Sequence, residues 1–318
     1  MKKIKNMLYR MLKLFRNLTW KDIRKILLDI REVVMANVFL LCAVTSIVAL
    51  LLIFLFLFWR GMPAIVEIGP INFLTGRNWR PIDAAPQFGI LPMIVGSIII
   101  TAGAMLLGVP VGIFTAVFLA KMCPKPLYIF LKPAINLLAG IPSVVYGYFG
   151  AIVIVPVIRS IAHSMGFGGG GQSIAAASIL LGIMILPVVV NISESAIRAV
   201  PQSYYEGSLA LGASHVRSVF FVIVPAAKSG VFASVVLGIG RAIGETMAVV
   251  MVAGNQARIP GNIFQGVRTL TANIVMEMGY ATDLHQQALI ATGIVLLVFI
   301  LIINIVFNLI TRKAKGGE

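Results

Sequence analysis

The stretch SGVFASVVLGIGRAIGETMAVVMVAGN, residues 229–255, decides the fold class. It is apolar for long enough to cross a bilayer, which takes about 20 residues at about 1.5 Å each. It also carries two charges four residues apart, Arg241 and Glu245. A single charge at the centre of a bilayer costs roughly 2.5–3.5 kcal/mol on insertion scales. A span that keeps two needs a partner inside the bundle, a water-filled cavity or a path for a polar substrate. The pair therefore marks a candidate functional site.

The rest of the chain agrees with a membrane reading. Of its 318 residues 59% are hydrophobic and 12% charged, and the mean hydropathy is +0.99. Soluble domains carry about 25% charged residues. Six segments are long and apolar enough to span: about 35–59, 89–120, 133–158, 173–193, 229–253 and 287–311. These runs are too long for the roughly 10-residue alternating strands of an outer-membrane barrel. The expected class is an all-α integral membrane protein of about six transmembrane helices, with a basic segment 1–34 ahead of a membrane domain 35–318.

The formal net charge of +15 reads as topology. An even number of spans puts both termini on one side. That side holds the ten basic residues of 1–34, the three of the C-terminal tail, Lys121, Lys125, Lys132, Arg198, Arg217 and Lys228. The other side holds Arg60, Arg77, Arg80, Arg159, Arg258 and Arg268. Basic residues concentrate in cytoplasmic loops, so both termini are expected in the cytoplasm of a multi-pass protein of a bacterial inner membrane. Their scatter over short loops argues against nucleic acid as a partner. Within 1–34, Ile4, Leu8, Met11, Leu12, Phe15 and Leu18 recur at helical spacing among lysines and arginines, as in an amphipathic helix lying on lipid. No small-residue cleavage site follows the long basic region, so it is not read as a removable leader.

Enzyme chemistry finds no footing. His163, His215 and His285 are dispersed over different loops and read as solvated, and no metal site is expected. Cys42 and Cys123 lie in or beside spans near the cytoplasmic side, where a structural disulfide is not expected. The glycine run GFGGGGQ at 166–172 lacks the GK[ST] of a phosphate-cradling loop, and no nucleotide motif occurs elsewhere. No cofactor is expected on this chain. Pro110, Pro142, Pro156 and Pro187 interrupt spans two to four, as packing kinks or as hinges.

The segment between spans four and five, residues 193–230, is more structured than a linker. Pro201-Gln202-Ser203 signals a short helix around Tyr204–Leu211, Gly212 supplies a turn, and Val216, Val219, Phe220 and Ile223 mark a second amphipathic stretch ending at Pro225. This hairpin resembles the EAA-x3-G-x9-I-x-L-P motif of ABC importer membrane subunits. Glu206-Gly207-Ser208, Gly212 and Val222-Ile223-Val224-Pro225 match its spacing at every step, with small for small and apolar for apolar. GIPSVVYGYFG at 140–150 and GRAIGETMAVVMVAGN at 240–255 narrow the resemblance to the permeases of phosphate-specific importers, the PstC type more than the PstA type.

That resemblance implies a type I permease fold and a complex. The partners would be a second, PstA-type permease, two ATPase subunits that bind ATP and magnesium, and an extracytoplasmic phosphate-binding protein. Glu206, Gly207, Ser208, Gly212 and Pro225 would form the coupling hairpin that sits on the ATPase. Arg241 would face phosphate, because its planar fork of donors suits phosphate oxygens and keeps its charge when buried. Glu245, one turn on along the same helix face, would hold Arg241 and limit how tightly the anion sticks. Thr246, Asn255 and Ser143 are weaker candidates to line the path, with interhelical hydrogen bonding as their other reading. Three alternatives stay open: a permease for sulfate or molybdate, a secondary transporter without an ATPase, and an Arg241–Glu245 pair that only fixes helix register.

Overall fold

The computed structural model describes residues 20–315, with side chains described from 31 to 306 and at Leu309. The expected interfacial helix of 1–34 falls outside these residues up to position 19. From Trp20 the backbone runs as one helix, α1 (Trp20–Ile68), without a break at the expected boundary near 34.

The chain divides into two units, residues 1–56 and 57–318. The described part of the first is α1 up to Phe56. Its side chains from 31 to 53 are all exposed and mostly apolar, among them Phe39, Leu41 and Ile47. A helix that is apolar all round suits lipid.

The second unit starts with the end of α1 and a turn at Gly69, whose φ of 85° favours glycine. A short helix α2 (Pro70–Thr75) and a two-residue antiparallel ribbon follow, β1 (Trp79–Arg80) against β2 (Gln87–Phe88), with Trp79 opposite Phe88. Next come α3 (Leu91–Val117), closed by a π turn at Phe118–Met122, and α4 (Lys125–Gly140). A spanning helix of 143–164 is built from α5 (Ser143–Phe149), a π turn at Gly150–Ile154 and α6 (Val155–Ser164). Then follows α7 (Ile174–Arg198), the most buried of the candidate spans.

The hairpin consists of α8 (Gln202–Ala210), a turn at Gly212 with φ 83°, α9 (His215–Ser218), a π turn at Val219–Ile223 and α10 (Val224–Ala226). It bends by 69° into α11 (Lys228–Gly244). The chain ends with α12 (Met247–Val252), α13 (Leu270–Glu277) and α14 (Asp283–Lys315). Among the described residues five helices are long and apolar enough to span, and the bent pair makes up to six.

Two expected spans differ from the structure. The third begins at Ser143 rather than 133, because Ile141 and Pro142 turn extended and detach α4 as a separate helix. The fifth is not continuous: α11 stops at Gly244 and α12 restarts at Met247. Conversely, Pro110 and Pro187 lie inside unbroken helices. Helices α3 and α7 form the central packed pair. A Cβ at Gly108 would lie 2.7 Å from the Gly182 carbonyl oxygen, and one at Gly112 2.7 Å from the Val189 side chain. Small residues let these backbones approach closely.

Three apolar clusters line the second unit. Trp79, Phe88, Ile90, Met93 and Leu270 gather at the Leu91 end of α3, and Ile100, Leu180, Ile185 and Val249 along its middle. Leu119, Ile197, Val219 and Ile223 gather at its far end, so the hairpin is seated on the membrane helices.

Candidate functional site

Helix α11 is glycine-rich where it fails, with Gly238, Gly240 and Gly244 in its last two turns. Glu245 is extended (φ −70°, ψ 134°). Its carboxylate turns forward to accept hydrogen bonds from the backbone N–H groups of Thr246 (3.1 Å) and Ala248 (3.4 Å). A carboxylate that accepts from nearby amides competes with the helix for them, and its charge suits the start of α12. The Glu245 carbonyl accepts from the Thr271 hydroxyl at 3.0 Å, which ties the break to α13.

This geometry corrects the expected pairing. The Glu245 carboxylate is committed to the amides beyond Gly244, and it forms no ion pair with Arg241. Among the described residues Arg241 makes no hydrogen bond and no salt bridge; its Nε is buried without a partner. Arg241 is half-buried, and its neighbour Ala242 packs in one cluster with Tyr146 of α5. The break thus brings a free guanidinium, a committed carboxylate and Thr246 into one place, where the Thr246 hydroxyl donates to the Gly244 carbonyl at 3.3 Å.

Ser143 and Asn255 are placed less directly. Ser143 opens α5, which crosses α12 so closely that a Cβ on Gly147 would lie 3.0 Å from the Ala248 Cα. Asn255 lies beyond the other end of α12, with φ 52°. Its side-chain amide donates to the Val250 carbonyl at 2.7 Å, and its own carbonyl accepts from Arg268 Nε at 3.0 Å. Its amide nitrogen closes α12, while its side-chain oxygen is buried without a hydrogen-bond partner among the described residues.

The hairpin residues stand where their spacing puts them. Glu206, Gly207 and Ser208 lie on α8, with Glu206 and Gly207 exposed, and Pro225 lies in α10 next to the bend. The Tyr205 hydroxyl meets His215 Nδ1 at 2.7 Å and joins the two arms. Leu211 is 91% exposed and Tyr204 53%. Val219 and Ile223 are buried, so the second arm is held to the bundle and the first presents its outer face.

Two polar networks escaped the sequence reading. In the first, Glu194 of α7 is 2% exposed. One of its oxygens accepts from the Tyr128 hydroxyl (2.9 Å) and Arg198 Nε (2.8 Å), the other from Lys132 Nζ (2.6 Å). Lys132 also donates to Asn191 Oδ1 at 2.7 Å, and Asn191 donates to Asn136 Oδ1 at 3.1 Å. Arg198 reaches the Leu119 carbonyl at 2.8 Å and covers the Tyr128 ring. The hydrogen bond that Tyr128 gives to Glu194 holds its phenol above the ordinary pKa. The sequence signal was there as Tyr128, Lys132 and Asn136 at four-residue spacing facing Asn191, Glu194 and Arg198.

In the second, buried Glu277 accepts from Trp79 Nε1 (2.8 Å), Arg268 and His285 Nε2 (2.9 Å), and Arg268 also donates to Asn273 Oδ1 at 3.0 Å. His285 is therefore not the solvated loop residue expected. It is 9% exposed, with Trp79 and Phe88 edge-on or tilted against its ring.

With this geometry in place, comparison with known proteins is informative. The model of the family described as binding-protein-dependent transport system inner membrane component matches residues 108–316. The chain is 39% identical over 278 residues to the probable ABC transporter permease protein YqgH of Bacillus subtilis, covering 86% of this chain and 89% of that one. It is 35% identical over 248 residues to the phosphate transport system permease protein PstC of Mesorhizobium japonicum, covering 73% and 75%. Its fold is similar to a bacterial ABC transporter for alginate import (TM-score 0.57, 15% identity, 92% and 98% covered). It is also similar to the MetNI methionine transporter in an inward-facing conformation (TM-score 0.56, 18% identity, 71% and 95% covered). At these identities the two structures speak to the fold alone.

Proposed function

Because the chain belongs to the family of binding-protein-dependent transport system inner membrane components, we propose that this ABC importer permease carries phosphate. It forms half of the path, beside a second, PstA-type permease. Both termini face the cytoplasm, and so does the hairpin α8–α10, through which an ATPase dimer acts. An extracytoplasmic phosphate-binding protein delivers the anion. ATP and magnesium belong to the ATPase.

One observation carries the reading: a half-buried arginine with no acidic partner, at the break of a membrane helix. Unpaired positive charge at membrane depth is costly unless a cavity or an anion compensates it. Guanidinium matches a phosphate's oxygens with paired donors. The substrate assignment is supported by the relatives named as PstC. Coupling to an ATPase is supported by the hairpin, since exposed α8 and the bend at Ala227 join an outward surface to the base of α11.

The test is uptake of labelled phosphate into vesicles that hold the full complex and its binding protein, with sulfate and molybdate as rivals. Arg241→Gln should abolish uptake while the complex still assembles. If phosphate uptake and basal ATPase both stay normal, Arg241 is not in the path. Preference for another oxyanion would overturn the substrate.

A further inference from the structure

We propose that the ladder between α4 and α7 (Tyr128, Lys132 and Asn136 against Asn191, Glu194 and Arg198) is the strut that carries movement of the hairpin to the neighbourhood of Arg241. Its members act as positioning residues. The proposal rests on the reading of this chain as the permease of an ATP-driven importer.

Helix α4 has sixteen residues and none is buried. Tyr128, Leu131 and Ile135 lie against the cluster under the hairpin, but such apolar contact does not fix register along a helix axis. The ladder does. Both oxygens of Glu194 are taken, from α4 and from α7. A slip of α4 by one residue would leave a buried carboxylate facing fewer cations, which is strongly opposed. Directional hydrogen bonds make α4 and α7 move as one body.

The strut is anchored at both ends. Arg198 is the last residue of α7, four positions before α8 begins. Its guanidinium holds the Leu119 carbonyl at the end of α3 and covers Tyr128, so the root of the hairpin is tied to α3 and α4 together. At the other end of α4 the Leu138 carbonyl accepts the Tyr146 hydroxyl at 2.8 Å. Tyr146 packs in one buried cluster with Ala242, the neighbour of Arg241, and with Ala248 of α12. Displacement of the hairpin root thus reaches the broken span by two routes. One runs directly through the bend into α11. The other runs through Arg198, Glu194, Lys132 and α4 to Tyr146.

Lys132→Met separates the routes. It cuts the charge link to α4 and leaves Glu194 paired with Arg198. The measurement is ATPase activity of the complete complex in lipid nanodiscs, with and without phosphate-loaded binding protein, beside uptake in vesicles. The strut predicts normal assembly and basal ATPase, with stimulation and uptake both down about tenfold, within the range open to residues that carry coupling. Lys132→Arg should restore most of the loss. A Lys132→Met complex that is stimulated like wild type overturns the strut alone. A wild-type complex that shows no stimulation overturns the importer reading, and the strut with it. If Lys132→Met fails to assemble, Tyr128→Phe removes one rung and keeps the ring. A drop in its stimulation of about twofold supports the strut, and no drop overturns it.

Discussion

The indole N–H of Trp79 donates to the Glu277 carboxylate at 2.8 Å across 198 residues of sequence. This bond joins the ribbon before α3 to the end of α13, and Glu277 gathers Arg268 and His285 at the same point. Removing the carboxylate leaves the part-buried Arg268 guanidinium without its counter-charge, which costs up to about 3 kcal/mol. Glu277→Leu should lower the unfolding free energy in detergent by that amount, with a lower midpoint, and Trp79→Phe by about 1–2 kcal/mol. Equal midpoints for wild type and Glu277→Leu would contradict the structure here.

Glu245 is held by backbone amides, so its two substitutions should part company. Glu245→Ala loses the acceptor at the start of α12 and should cost about 1 kcal/mol. Glu245→Gln keeps an acceptor oxygen and should leave thermal stability within about 0.5 kcal/mol of wild type. Any loss of uptake in Glu245→Gln then reports the charge itself. Unfolding and uptake measured on the same two variants check this.

Two glycines should respond oppositely to alanine. At Gly108 a Cβ meets the Gly182 carbonyl oxygen at 2.7 Å, and overpacking costs about 1–3 kcal/mol. At Gly207 on the exposed α8 nothing lies within 4 Å. There alanine gains up to about 1 kcal/mol of helix propensity and places in the hairpin the residue type common to its family motif. Gly108→Ala should lower yield and unfolding temperature, and Gly207→Ala should retain uptake.

At Gly212 the backbone has φ 83°, which disfavours a side chain although space is open. Gly212→Ala should cost about 1–2 kcal/mol locally. Because the turn sets the angle between the hairpin arms, limited proteolysis should show earlier cleavage between Leu211 and His215 than in wild type.

Much of this was legible beforehand. Long apolar runs located the spans, and Pro201, Gly212 and Pro225 outlined the hairpin, because proline and glycine act locally. The break after Gly244 was not. Hydropathy runs straight through it, and what stops the helix is capture of two amides by a side chain. The Glu194 and Glu277 networks were hidden for a different reason. Their partners lie far apart in sequence, and one chain's order of residues does not say which loops meet. His285 looked solvated because its burial is made by Trp79 and Phe88, nearly 200 positions away.

The break in the fifth span has a consequence for affinity. The first amides of a helix are a ready cradle for anions. At α12 two of them, those of Thr246 and Ala248, are already given to the protein's own carboxylate. If Arg241 faces the substrate as proposed, an anion there would compete with this carboxylate and would have the guanidinium as its principal handhold. On that reading the landing place is shallow by construction: a passenger would pause there without settling.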